Sequence, residues 1–376
     1  MRRALLASSA LIAFISLNIA ILSAQVAPEK LSSASPTVQP VCPPGGCNGG
    51  GHGTGGGGTT PGGPLSFLGA TNLNVPVGGV SGRQGPGVSN GTVSGQIAYV
   101  YANPNDPFGD QYGDDYIWYG TSQQQPARIN LSAGCCVVTT ANPALQEVLI
   151  GGAAHLFLAG VSQQGAVDNY SGVSNLFRLD GSTWTSLGQI STQSTIYSPS
   201  LAASPQYLFT GLLNTDNTLT ICRTDITILN GATSCTQHPG STKMTFNPGM
   251  AYWNGVLYMA FEDTLSAHNL RLFTSTDNGQ TITENTNIAA NPDQTSAVPS
   301  LIVLNNALYV GFRSNDSSQH LLYKYSTDGI NFTASTDTGL AMTSGPSFVF
   351  ASTYLYNYFT TTGSTPYLSS DPAPNP

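Results

Sequence analysis

Hydrophobic positions in this chain come in short bursts. The runs Leu257-Tyr258-Met259-Ala260-Phe261, Leu308-Tyr309-Val310-Gly311-Phe312 and Leu355-Tyr356-Asn357-Tyr358-Phe359 are aromatic or aliphatic, and Asn, Gly, Ser and Thr bound them. Bursts of this length with turn residues at both ends are the grammar of β-strands, whereas helical repeats would carry a period of 3.6 residues. An all-β chain is expected.

The bursts recur in a fixed order. After Asn247-Pro248 comes an apolar run, Met250-Ala251-Tyr252, then a polar turn, a second run at 257–261, a third run, and a close on Ser275-Thr276-Asp277-Asn278-Gly279-Gln280-Thr281-Ile282. The next unit repeats the order from Val298-Pro299 to Ser326-Thr327-Asp328-Gly329-Ile330-Asn331-Phe332. Pro199, Pro248, Pro299 and Pro346 stand 49, 51 and 47 residues apart, and Pro143 opens a weaker copy that ends in Asp180-Gly181-Ser182-Thr183-Trp184. Stacked four-stranded units at a period of roughly 40–50 residues are propeller blades. The segment from Gly95 to Ala133 reads as one more blade, with Ile97-Ala98-Tyr99-Val100-Tyr101 and Tyr116-Ile117-Trp118-Tyr119 as its second and third strands. The expected fold is a six-bladed β-propeller of four-stranded blades, with five or seven blades as the alternatives. Residues near Leu65 to Pro76 are placed to close the ring by lending a strand to the last blade.

The closing turns carry a resemblance. Ser275-x-Asp277-x-Gly279-x-Thr281-Ile282 and Ser326-x-Asp328-Gly329-x-x-Phe332 resemble Asp-boxes, the turn that joins the third and fourth strands of a blade in sialidase-like propellers. Asp180-Gly181-x-x-Trp184 is similar but has Arg178 where the box has Ser. Short Ser and Asp side chains bond nearby backbone groups, Gly supplies a positive φ, and the trailing aromatic packs into the blade. The resemblance implies an Asp-box propeller, a turn found in enzymes and non-enzymes alike.

The first residues look different. Arg2-Arg3 precede an apolar run that ends Leu22-Ser23-Ala24, so residues 1–24 read as a secretory signal peptide cut before Gln25, with an uncleaved anchor as the alternative. Residues 25–64 are Pro- and Gly-rich, the composition of a flexible linker. Residues 65–376 are left for the propeller. The protein is expected to be secreted or extracytoplasmic, with no membrane contact once the signal is removed.

Charge narrows the partners. Only 8% of residues are charged, and 11 Lys+Arg face 19 Asp+Glu for a net charge of −8. No basic stripe exists for nucleic acid or an anionic membrane. A surface of amides, hydroxyls and glycine suits a glycan or other neutral polar ligand, or a surface protein. Six cysteines in an exported chain suggest disulfides. Cys222 and Cys235 flank Asn230-Gly231, a hairpin signal, and are expected to bond in the blade that lacks a good box. Cys42 and Cys47 are placed to close a linker loop, and the adjacent Cys135 and Cys136 either form a vicinal bridge or stay reduced. Asp106, Asp110 and Asp114 cluster in one loop as calcium candidates, although their spacing fits no known calcium loop. No other cofactor is suggested.

The candidate chemistry lies where the second strands end. Aligning them puts Glu262 and Arg313 at one position on successive blades, where they are expected to pair, because buried charges need partners. Asn214, Asp216, Asp263, Asn315 and Asp316 follow these strands and are expected to edge a channel mouth and bind ligand, with Glu262 and Arg313 counted among the ligand-binding candidates. A sialidase-like enzyme needs an arginine triad for the substrate carboxylate, and only Arg313 is placed for it. In arabinanase-like glycosidases a catalytic carboxylate can precede the blade Pro, but here those residues are Asn142, Ser198, Asn247, Val298 and Gly345. Gly87-Val88-Ser89-Asn90-Gly91 matches a nucleophile elbow in letters without the strand-turn-helix context. The sequence thus favours a non-catalytic carbohydrate-binding or surface-interaction module. The alternative is a divergent glycoside hydrolase drawing its acids from Glu262, Asp263, Asp216 and Asp316.

Overall fold

The computed structural model describes residues 65, 67–72, 88–93, 95–103, 115–131, 137–139, 141–162, 172–195, 197, 199–239, 244–264, 267–290, 293–351, 354–361 and 366–372. The expected signal peptide and linker, the calcium candidates Asp106, Asp110 and Asp114, and Cys42, Cys47, Cys135 and Cys136 fall outside them.

The strands follow the bursts of the sequence. After β1 (Leu68–Asn72) come β2 (Val88–Val93), β3 (Gln96–Asn103), β4 (Asp115–Thr121), β5 (Gln124–Arg128) and β6 (Val138–Thr139). The next group is β7 (Ala144–Ile150), β8 (Ala153–Ser162), β9 (Val173–Asp180) and β10 (Thr183–Gln189). Then come β11 (Ser200–Ala203), β12 (Tyr207–Leu213), β13 (Leu219–Asp225) and β14 (Thr233–His238). The fourth group is β15 (Gly249–Trp253), β16 (Val256–Asp263), β17 (Asn269–Ser275) and β18 (Thr283–Glu284), followed by a 3-10 turn at Thr286–Ala290. The last strands are β19 (Ser300–Leu304), β20 (Ala307–Arg313), β21 (His320–Ser326), β22 (Thr336–Ala341), β23 (Ser347–Ala351), β24 (Tyr354–Thr360) and β25 (Pro366–Pro372). No described helix is long and apolar enough to cross a membrane.

Each sheet is an antiparallel meander, and the result is a β-propeller. Five sheets are regular four-stranded blades: β7 to β10, β11 to β14, β15 to β18, β19 to β22, and β23-β24-β25 completed by β1. β1 pairs antiparallel with β25, so the N-terminal segment closes the ring on the last blade, as the sequence suggests. The structure thus has five such blades, and the expectation of a six-bladed propeller is corrected to the alternative of five. The remaining sheet, β2-β3-β4-β5, carries a fifth strand, because β6 pairs the start of β4 while β5 pairs its end across a register shift between Tyr119 and Thr121. Its inner strand β2 lies in the Gly/Ser-rich stretch that the elbow letters occupy, and a strand follows it rather than a helix. β2 touches β7 on one side and β23 on the other, so the inner strands form a closed ring.

The period of two explains the packing. Residues two after each blade Pro, namely Leu145, Leu201, Met250, Leu301 and Phe348, each enter a different core between neighbouring sheets. Burying one such side chain contributes about 1.5–3 kcal/mol, so every sheet is held mainly by its neighbours. The sheets approach closely at Gly249, where a Cβ would lie 2.1 Å from the Pro299 carbonyl oxygen, and at Gly345, where it would lie 2.3 Å from that of Val298. Only glycine fits the chain at these two points.

The turns at Ser275 and Ser326 close alike. Ser275 Oγ donates to Asp277 Oδ1 (2.8 Å) and accepts from Gly279 N (2.8 Å), while Asp277 Oδ1 accepts from the backbone N of Gln280 (3.1 Å) and Thr281 (2.9 Å). Ser326 and Asp328 repeat the pattern with Gly329, Ile330 and Asn331. Gly279 and Gly329 have φ of 79° and 74°. Phe332 packs against the core behind its turn, and Trp184 is buried beside Tyr119 with ring centroids 5.5 Å apart. The Asp180-Gly181 turn is built otherwise: Arg178 Nε donates to Asp180 Oδ1 (2.8 Å) and Oδ2 (2.9 Å). Cys222 and Cys235 are directly opposite on β13 and β14 and are bonded, as expected.

Candidate functional site

The chain runs outward through each blade, so the blade prolines and the loops after the second strands share one face. The loops after β12, β16 and β20 hold the residues that the sequence singles out. Their polar side chains are largely used within the loops. Asp216 Oδ1 accepts from Thr218 N (3.0 Å) and Thr218 Oγ1 (2.6 Å), which holds its exposed carboxyl below the usual carboxylate range. Asp316 does the same with Ser318 and Ser314, and these hydroxyl donors bring it down to about 2. Asn214 is buried and donates to Thr218 Oγ1 and Thr220 Oγ1 (2.8 and 2.9 Å). Asn315 keeps an exposed side chain.

Glu262 and Arg313 are both buried, yet no ion pair joins them. Arg313 spends its donors on Ser296 Oγ (2.9 Å), the Ser296 carbonyl (2.7 Å) and the Thr343 carbonyl, bridging its own blade to the next. The expected pairing is corrected: backbone carbonyls at the junction outcompete the neighbouring carboxylate. Glu262 Oε1 meets His268 Nδ1 instead, in the loop after β16. Burial pushes the Glu262 carboxyl up, and the pulls of His268, Thr245 and Arg313 do not cancel it. Asp263 is bound by Arg271 Nε (3.2 Å), whose Nη1 donates to Glu284 (2.7 Å).

None of these residues borders the main cavity. That cavity lies on the axis of the ring, holds about 420 Å³, and is walled by the inner strands and the segments leading into them. Its size falls in the range of small-ligand sites. An inner strand pairs on one side only, so its backbone groups along the other edge face the channel. Side chains add the specificity. At one register level, opposite the first residue of each second-strand run, stand Thr92, Glu147, Ala203, Tyr252, Val303 and Phe350. All six line the cavity. Phe350 is 40% exposed, so this level meets solvent. Tyr252 is steadied by Phe209, with centroids 5.8 Å apart and planes 21° from parallel. Deeper along the channel are Gln146 and Asn247, and Asn247 Oδ1 accepts from the Leu213 backbone while its Nδ2 is buried without a partner.

Glu147 is the residue that sequence reasoning missed. Among the described residues it is the one charged side chain in the cavity wall, and its Oε2 is shielded from solvent with no hydrogen-bond partner. The signal was present: it sits four residues after Pro143, where the other Pro-led units carry Ala203, Tyr252, Val303 and Phe350. Attention to pre-proline positions passed over it. A second cavity of about 380 Å³ opens between the blade of β7 to β10 and that of β11 to β14, beside the exposed Ile228 and Leu229. Among the described residues no group of three His, Cys, Asp or Glu is close enough to hold a metal ion.

No protein-family model and no curated protein matches the chain. Solved structures do match. A protein of unknown function from Dyadobacter fermentans is 8% identical, over 80% of this chain and 98% of its own, with a TM-score of 0.51. Trypanosoma rangeli sialidase, in its covalent intermediate with 2,3-difluorosialic acid, is 9% identical over 82% of this chain, with a TM-score of 0.50. The present chain spans 59% of that sialidase's length. A mutant of the Aleuria aurantia lectin in complex with alpha-methyl-L-fucoside is 10% identical, over 83% of this chain and 99% of its own, with a TM-score of 0.49. At such identities the likeness concerns the fold alone.

Proposed function

We propose that the chain is an exported carbohydrate-binding propeller that holds its glycan in the axial cavity. The observation that carries this reading is the composition of the cavity wall. Tyr252 and Phe350 offer flat apolar faces, while Thr92, Gln146 and Asn247 supply hydroxyl and amide groups. Sugars need both, because one face of a pyranose is apolar and its rim is hydroxyl-rich. A glycoside hydrolase needs two carboxylates flanking the bond, and among the described residues this wall has Glu147 alone. The described wall has no Arg or Lys, which disfavours recognition of a sialic acid carboxylate there.

A glycan array on the purified residues 65–376, followed by calorimetric titration of the hits, tests this reading. Tyr252→Ala and Phe350→Ala are each expected to weaken binding by about tenfold, since stacked aromatic contacts contribute on the order of 1 kcal/mol or more. Binding indifferent to both changes would move the site to the loops bearing Asn214, Asp216, Asp263, Asn315 and Asp316. One observation favours a hydrolase as the second reading: Glu262 is a buried carboxyl, pushed up by burial and bonded to His268, as a general acid would be. Turnover of chromogenic glycosides that disappears in Glu262→Gln would establish it. Export rests on residues 1–24, and a mature N-terminus at Gln25 in the secreted protein is the expected result.

A further inference from the structure

We infer that the axial cavity selects amino sugars with a free amine, and that Glu147 is the residue that reads the ammonium group. This rests on the glycan reading above and adds the charge of the ligand to it.

The starting point is an imbalance. Glu147 Oε2 is buried and makes no hydrogen bond, while its strand neighbour Gln146 donates to the Glu147 carbonyl rather than to its carboxylate (2.9 Å). A carboxylate oxygen hidden from water without a donor is unfavourable unless a positive or donor group meets it. Among the described residues the cavity wall supplies no such group, since they include neither Lys nor Arg. The partner is therefore expected from outside.

The surroundings define that partner. At the level of Glu147 the wall carries Tyr252 and Phe350, whose aromatic faces attract a cation as well as the apolar face of a sugar ring. The remaining positions at this level are small or apolar: Thr92, Ala203 and Val303. A volume of about 420 Å³ admits a ligand of sugar size. Inner-strand carbonyls along the channel edge provide further acceptors for an ammonium, which has three donors to place. A compact organic cation carried on a hydroxyl-rich, partly apolar ring fits all of this. A carboxylated sugar fits poorly, because its charge would face Glu147. An N-acetylated sugar fills the same space but leaves Glu147 unanswered.

The test is a comparison of three oligosaccharides of matched length: one of glucosamine with free amines, its N-acetylated counterpart and one of galacturonic acid. Each is titrated calorimetrically into the wild-type domain at a mildly acidic pH where the amine is charged. The free-amine oligomer is expected to bind at least about tenfold tighter than the N-acetylated one, the scale of a hydrogen bond to a charged group. The acidic oligomer is expected not to bind. Glu147→Gln, checked for an unchanged melting temperature, is expected to remove the preference by weakening the free-amine oligomer to the level of the N-acetylated one. If the variant does not fold, the wild-type ratio of amine to N-acetyl binding decides alone. Equal affinities for the two in the wild type, or a preference that survives Glu147→Gln, would overturn this inference and leave the glycan reading standing. No binding of these oligomers or of any glycan on the array would overturn both.

Discussion

Arg178 leaves its own blade to reach the next one. Its Nε holds Asp180 on β9, while its Nη1 donates to Asn230 Oδ1 at 3.2 Å and to the Leu229 carbonyl, both on the turn between β13 and β14. The same relation recurs around the ring. Asn285, after β18, donates to the Gly329 and Ile330 carbonyls (3.3 and 3.2 Å), and His238 on β14 meets the Gly279 carbonyl (3.1 Å). Each of these turns between a third and a fourth strand is thus gripped from the preceding blade. Arg178 is 3% exposed, so replacing it by Met leaves several acceptors unanswered and Asp180 without its cation. Arg178→Met is expected to cost about 2–4 kcal/mol in urea unfolding, with glycan affinity unchanged.

The box aspartates stabilise their turns without touching the cavity. Asp277→Ala and Asp328→Ala are each expected to lower stability by about 1–2 kcal/mol through lost turn hydrogen bonds. Hydrogen bonds from Thr281, helped by Ser275 and Gln280, bring the Asp277 carboxyl down to about 2 against the opposing effect of desolvation. A depressed carboxylate contributes fully above its unfolded pKa of about 3.9 and loses its contribution as pH falls through the folded value. The wild-type advantage over Asp277→Ala should therefore be constant above roughly pH 5 and shrink toward pH 2. An advantage that persisted undiminished in acid would exclude this account.

Cys222–Cys235 closes a loop with a sequence separation of 13 residues. Loop-entropy arguments give such a bridge about 3 kcal/mol. Thermal melts with and without reductant, and of Cys222→Ala/Cys235→Ala, should show a loss of that order. A domain indifferent to reduction would mean that strand pairing alone holds β13 to β14.

Glu262 carries the opposite pH signature to the boxes. Burial raises its pKa above the ordinary 4.5, so the fold favours its protonated form. Stability from this group is fully present below the unfolded value and is lost as pH rises through the folded one. Glu262→Gln removes that loss. The variant's stability relative to wild type should increase from pH 4.5 upward, read by urea titrations across the range. A flat difference would show that His268 compensates the burial in full.

Much of this was legible from local pattern. The all-β class, the Pro-led units, the closing strand from the N-terminal segment and the Cys222–Cys235 bond all depend on periodicity and turn chemistry, which act over a few residues or recur visibly. The turns at Ser275 and Ser326 belong here too, since Ser275, Asp277 and Gly279 bond within one turn. What the tertiary structure decided is which side chains share a space. Arg313 had an acid at the matching position of the preceding blade, yet three-dimensional packing offered it the Ser296 and Thr343 carbonyls first. Asp216 and Asp316 looked like ligand groups, but their own loops fold back to bond them. Glu147 was, with Gln146, one of two polar letters in an otherwise apolar run, and only closing the ring set it among Tyr252, Phe350 and the other inner strands. Sequence spacing orders residues along a strand; the faces they meet across the channel come from strands roughly 50 residues apart, whose relative placement is set by packing between blades.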